Sequence, residues 1–281
     1  MTGRRAGPLR RLLRDKGALV GLVLVGLVVL MAAGANLAPW GPKEIDRSVY
    51  EPVPPGGNHP LGTDGTGYDV FSRLLYGARI SLMTGLASVV LALLVGVPLG
   101  AISGYAGGKV DTVLMRIVDV MLAFPSVVLA IAIAALLDAR TVGTVIVAVA
   151  VVAVPTVARQ VRASVLQVRG LEYVTAARAM GFSPARILVR QVLPNCLAPI
   201  LVLATLGVGH AILAAAGLSF LGLGPEARVA EWGVMLKDGY RYATGREQWV
   251  IVPPGVAIAI TVLGFNLLGD GLRRALDPRA K

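Results

Sequence analysis

Apolar residues in this chain come in long unbroken runs rather than in alternation. Six stretches carry no Asp, Glu, Lys or Arg: Gly17–Pro42, Ile80–Gly108, Val120–Leu137, Thr141–Ala158, Gln191–Pro225 and Gln248–Gly269. Each reaches or exceeds the roughly 18 apolar residues that cross a hydrocarbon core about 30 Å thick. Barrel strands would alternate at every second residue, and none of these runs does. The pattern predicts an all-α integral membrane protein with six transmembrane helices, near 18–37, 80–105, 117–137, 142–166, from 195 onward, and 250–268. The first run is read as a retained span, because its apolar core of about 20 residues exceeds the h-region of a signal peptide and no A-x-A site is compelling. The fifth is longer than one crossing needs, so Ala216–Gly224 is expected to turn at the membrane edge.

Two polar interruptions stand out. Glu51–Gly67, rich in Pro and Gly, cannot form a regular element. From Asp69, the residues Val70, Leu74, Gly77 and Ala78 fall at helical spacing and predict an interfacial helix leading into span two. The second interruption, Leu171–Asn195, is a basic island between two spans. Glu172 and Thr175, followed by Ala176 and Ala177, place a polar edge beside a small, close-approach edge on a helix over 172–180. Gly181 suits its C-terminus. After Phe182, Ser183 and Pro184 restart the chain as an N-cap with Pro at the first helical position. Two short helices set at a fixed angle make a rigid knob able to pass on a partner's displacement. Arg178, Arg186 and Arg190 add charge for a partner or for anionic lipid.

Composition agrees with the pattern: 281 residues are 56% hydrophobic and 15% charged, against about 25% charged in soluble domains. The net charge of +11 is distributed asymmetrically. With the N-terminus inside, 18 of the 27 Lys and Arg residues fall on the inner side, including Arg4, Arg5, Arg10, Arg279 and Lys281. Both termini and the 171–195 loop are therefore expected in the cytoplasm. This bias accounts for the basic charge without nucleic acid. Cys196 is the single cysteine, and His59 and His210 are the only histidines, so neither a disulfide nor a His/Cys zinc set can be assembled, and an intramembrane protease is disfavoured. Ser103–Val110 lacks the first Gly and the terminal hydroxyl of a P-loop. No nucleotide site and no other cofactor is expected in this chain.

Within the spans, Gly96, Gly100, Gly104 and Gly108 lie four apart on one stripe, reading as close helix packing, with a hinge near Pro98 as the alternative. Asp119 is expected to pair with Arg116 three residues earlier. Asn266 and Asp270 are expected to cap or pair at the end of span six. His210 reads as a buried imidazole with a backbone partner, or as a residue of a solute path.

The 171–195 loop, with Ala176, Ala177, Gly181, Leu193, Pro194 and Asn195 in register, resembles the EAA loop of ATP-binding-cassette importer permeases of the dipeptide/oligopeptide/nickel family. Thr175 stands where that family usually has Glu, and Gln191 where it has Ile or His. Glu172, one turn from Thr175, is expected to replace the missing acid in part. His59–Leu82, Ala216–Gly224, Glu231–Leu236 and Gly269–Arg279 resemble further family blocks, with Tyr68 in place of a common Arg and Ala215 at a position often acidic. The resemblance implies a type I importer permease fold and a division into 1–58 (basic tail, first span and outer segment), 59–270 (permease core) and 271–281 (cytoplasmic tail). It also implies a second, homologous permease as a heterodimer partner, two ATPases docking on the loop, and an extracytoplasmic binding protein. Di- or oligopeptides are the first implied cargo, with nickel or its chelates, glutathione and some sugars behind. A secondary transporter, coupled through His210 near the midplane, is the reading from another class.

Overall fold

The computed structural model describes residues 11–49 and 51–276; the basic residues Arg4, Arg5, Arg10, Arg279 and Lys281 lie outside them. Ten α-helices with described bounds follow one another among these residues: α1 (Lys16–Ala33), α2 (Val70–Ala106), α3 (Gly108–Ala123), α4 (Ser126–Leu137), α5 (Val142–Arg169), α6 (Glu172–Ala179), α7 (Pro184–Ile187), α8 (Leu193–Phe220), α9 (Trp232–Gly239) and α10 (Val252–Leu276). Among the described residues, five helical stretches are long and apolar enough to cross a membrane, and six if the bent pair α3–α4 counts as one.

Two predicted elements are corrected. The interfacial helix and span two are one continuous helix of 37 residues, about 55 Å at 1.5 Å per residue, with Pro98 inside it. Asp69 starts this helix by accepting the Ser72 N–H at 2.7 Å. Span three, expected as one helix, is broken by 95° between α3 and α4. Pro125 has no N–H and crowds the residue before it, so Phe124 is driven to extended backbone at φ −83°, ψ 138°.

The core of the bundle is the contact of α2 with α5. Gly96, Gly100 and Gly104 present bare backbone to Val157, Val161 and Val165, one α5 turn apart. A methyl group on Gly100 would overlap the Ala158 carbonyl oxygen. Gly108, expected on the same stripe, lies beyond the helix end at φ +54° with no neighbour. Polar ties fix the two ends. At the loop end Arg274 forms two hydrogen bonds to Asp15 at 2.7 and 2.8 Å, holding that carboxyl down at about 2. This pair joins the start of α1 to the end of α10; Asn266 lines a groove instead of pairing with Asp270.

At the opposite end residues 38–49 and 51–69 fold down without regular structure. Trp40 stacks on His59 with ring centroids 4.9 Å apart, and His59 sits between Asp69 (3.0 Å) and Asp46 (3.4 Å). Buried Arg73 donates to Asp64 at 2.8 Å and to the Ala227 carbonyl at 2.8 Å. Tyr68, noted as replacing Arg, lies under that guanidinium at 4.6 Å. Glu231 caps α9, accepting the Gly233 and Val234 N–H groups at 3.0 Å each.

Candidate functional site

The 171–195 island folds as a knob on the loop end of the bundle. Gly181 adopts φ +78°, a left-handed conformation that ends α6 and favours glycine. Its Cβ direction is open, so the backbone angle rather than crowding selects the residue. Ser183 then accepts the Arg186 N–H at 3.4 Å, and Pro184 opens α7. The predicted pair of short helices is therefore present, with one refinement: α7 is continuous with the span that follows.

The join is a five-residue π-helical segment, Leu188–Val192. Its local cause is the L-P-N sequence. Pro194 has no N–H for the carbonyl one turn back, and Leu193 donates instead to Leu188, five residues earlier. The Asn195 side-chain amide donates to the Gln191 carbonyl at 2.6 Å. Among the described residues, Gln191 Oε1 is one of three buried side-chain polar atoms with no partner.

Val174 and Ala177 on α6 are fully buried, as are Ile187, Val192 and Cys196, and they pack with Val161 and Val165 of α5. This apolar undersurface anchors the knob and keeps it from moving independently of the spans. It also corrects one predicted contact residue: Ala177 faces inward and is an anchor. Glu172, Thr175, Ala176, Arg178, Ser183, Pro184 and Arg186 are exposed, and Phe182 is half-buried. Arg178 lies over the Tyr105 ring at 5.5 Å and Arg186 over Phe182 at 4.5 Å, so both guanidinium groups are braced within the chain.

The sequence reading did not single out the exposed apolar residues of the knob. Leu171 is 47% exposed, Tyr173 43%, Met180 65% and Val189 60%, so apolar side chains stand among the polar ones on this surface. An apolar centre within a polar rim is the composition of a protein contact rather than of a bare solvated loop. For Tyr173 and Met180 the only sequence signal is position, between the buried residues of an amphipathic helix.

The other predicted residues separate. Gly96, Gly100 and Gly104 pack α2 on α5, and Pro98 lies within the same uninterrupted helix. His210 is exposed on α8, against the buried site expected, and bonds only the Leu206 carbonyl, at 3.0 Å. Asp119 pairs with Arg159 of α5 at 2.7 Å and not with Arg116. The packing of α3 across α5 brings that guanidinium to it; a second carboxylate, Asp111, meets Arg162 there at 2.6 Å.

The described residues thus form a multi-span helical bundle carrying an anchored knob at one end. Residues 96–281 match the model of binding-protein-dependent transport system inner membrane components, and residues 5–55 match that of the N-terminal transmembrane domain of oligopeptide transport permease C. The chain is 48% identical to the dipeptide transport system permease protein DppC of Escherichia coli, over 95% of this chain and 91% of that one. It is 44% identical to the DppC protein of Alkalihalophilus pseudofirmus (97% and 89%) and 45% identical to a di/tripeptide permease of Pseudomonas aeruginosa (95% and 89%). A chain from inward-facing structures of the MetNI methionine ABC transporter superposes with a TM-score of 0.62 at 22% identity, covering 73% of this chain and 96% of that one. The chain belongs to the family of binding-protein-dependent transport system inner membrane components. It is a multi-pass inner-membrane permease subunit with the fold of an ABC importer permease.

Proposed function

We propose that this chain is one permease of an ATP-driven importer of di- or oligopeptides. In the complete machine it pairs with a homologous permease, two ATPases and an extracytoplasmic binding protein. The observation that carries this reading is the anchored knob, in the company of relatives named dipeptide and di/tripeptide permeases. With both termini and the knob in the cytoplasm, ATP binding closes the ATPases and displaces α6. Because Val174 and Ile187 lock α6 and α7 onto α5 and α8, the displacement reaches two spans at once and turns the paired permeases outward. Peptide delivered by the binding protein enters, and hydrolysis resets the cycle. ATP and Mg²⁺ act on the partner subunits, and this chain carries no covalent chemistry.

Glu172, Thr175, Tyr173 and Met180 form the ATPase contact in this scheme, and His210 is retained as a path residue. Copurification tests the reading. Tagged wild-type protein should bring down ATPase, and Gly181→Pro, whose φ cannot reach +78°, should lose it while keeping its partner permease. A wild-type complex without ATPase would end the proposal. Native mass spectrometry of the ligand held by the copurified binding protein then distinguishes peptide from a nickel chelate.

A further inference from the structure

The loop-end half of α5 has two unlike faces. Val154, Val157, Ala158, Val161 and Val165 are buried, against the glycine stripe of α2. Thr156, Arg159, Gln160, Ala163 and Gln167 recur along the other side at helical spacing, and all five are exposed. Exposed residues of the other spans are mainly apolar, as Leu22, Val23 and Leu30 on α1, Leu86, Val90 and Leu94 on α2, and Leu197 and Leu201 on α8, with Arg79 on α2 and His210 on α8 as exceptions.

Position along the helix sharpens the contrast. Arg159 lies ten residues before the end of α5, about 15 Å along the helix, and directly after the charge-free run Thr141–Ala158, so it stands where the span meets its loop-end border. It forms an ion pair with Asp119 at 2.7 Å, and both side chains remain 55% exposed. An ion pair at that border persists where its groups face water or each other rather than lipid tails. The neighbouring pair, Arg162 with Asp111, is more enclosed, at 31% and 19% exposure, and receives a further hydrogen bond from Ser103. Arg162–Asp111 therefore acts as a staple between α3 and α5, whereas Arg159–Asp119 is open on one side.

We infer that Thr156, Gln160 and Gln167 of α5 with the Asp119–Arg159 pair form a wall of the solute path, and that the pair opens to hold a zwitterionic solute. The second clause rests on the peptide-importer reading; the first does not. A solute carboxylate can take the Arg159 guanidinium in the two-pronged geometry that guanidinium favours, while its ammonium takes Asp119. The exchange leaves no charge unpaired at any stage, which makes a matched pair a better station for a zwitterion than a lone charge. Once the solute leaves, the pair recloses.

The test uses the full transporter complex in inverted membrane vesicles without nucleotide. Cys196 is buried, so single cysteines can be introduced without background reaction. Gln160→Cys should react with a membrane-impermeant cationic methanethiosulfonate at least tenfold faster than Leu94→Cys. Reaction at the Leu94→Cys rate would show the stripe covered by lipid or protein and overturn the wall. A saturating dipeptide should slow the labelling of Gln160→Cys severalfold. Its N-acetylated form, which lacks the ammonium, should protect less, and Asp119→Asn should erase that difference. Equal protection by both peptides in the Asp119 parent, or none by either, would overturn the station. Labelling needs no ATP turnover. A reactive stripe in a complex without ATP-driven uptake would refute the importer reading alone, whereas an unreactive stripe would refute the wall alone.

Discussion

Gly100→Ala is the sharpest perturbation of the α2–α5 contact. Its added methyl would overlap the Ala158 carbonyl oxygen and lie 2.9 Å from Val161 Cβ and 3.0 Å from the Arg162 nitrogen. Two of the three neighbours are backbone atoms, so relief requires the helices to separate. Overpacking of this kind costs about 1–3 kcal/mol, and the rigid backbone partners place it near 3. Alanine in a helix interior recovers about 1 kcal/mol relative to glycine, leaving a net loss of roughly 2 kcal/mol. For a chain of this size that corresponds to a fall in Tm of about 4–8 °C. Gly26→Ala, in α1 with nothing within 4 Å, keeps the propensity gain without the clash. Thermal unfolding of the detergent-solubilised complex should place Gly100→Ala well below wild type and Gly26→Ala at or above it. Gly96→Ala should fall between, because its closest neighbour is a Val157 methyl group that can move. A Gly100→Ala protein as stable as Gly26→Ala would refute close packing as the role of the stripe.

Three further outcomes follow from the geometry. Arg73→Met leaves Asp64 buried beside an apolar side chain, and breaking such a pair costs about 3–5 kcal/mol; hydrogen exchange should rise in 62–73 and 227–238, and adding Asp64→Leu should restore part of the protection. Burial raises the pKa of the Glu231 carboxyl above its ordinary 4.5. The folded protein then resists a deprotonation that the unfolded chain allows, so the penalty is absent below 4.5 and grows as pH rises. As pH rises above 5 the Tm of wild type should fall relative to Glu231→Gln, and parallel curves would contradict the assignment. Glu172→Ala should weaken ATPase binding about tenfold, within the ~1–3 kcal/mol of a lost charged hydrogen bond, and an unchanged affinity in a pull-down titration would remove Glu172 as the substitute for an acid at Thr175.

Much of the loop was legible in the chain because its signals are local. Gly181 and the Ser183–Pro184 pair act on their own backbone, so their spacing reports two short helices without knowledge of the rest. The spans were legible for the same reason, since absence of charge over some twenty residues needs no partner to interpret. Span three failed where two local signals conflicted: its apolar continuity argued for one helix, and Pro125 argued for a break. The backbone constraint won because apolar side chains do not restore a missing N–H.

What the sequence hid was long-range register. Arg116 is nearer to Asp119 in the chain, but the packing of α3 across α5 gives that carboxylate to Arg159. Thr156, Gln160 and Gln167 show a helical period on their own, yet only the burial of the valine face fixes which side stays open. Ala177 looked like a contact residue because small residues permit close approach, and the close approach is to the spans beneath it.

The central claim is that nucleotide energy from a partner reaches the spans through an anchored loop. It is tested most directly by uptake of a labelled dipeptide into proteoliposomes holding the complete complex and its binding protein. The account predicts accumulation above the outside concentration only with ATP, lost when Tyr173 and Met180 are replaced together by Asp. Accumulation driven by an ion gradient without ATP, or unaffected by the double replacement, would contradict it.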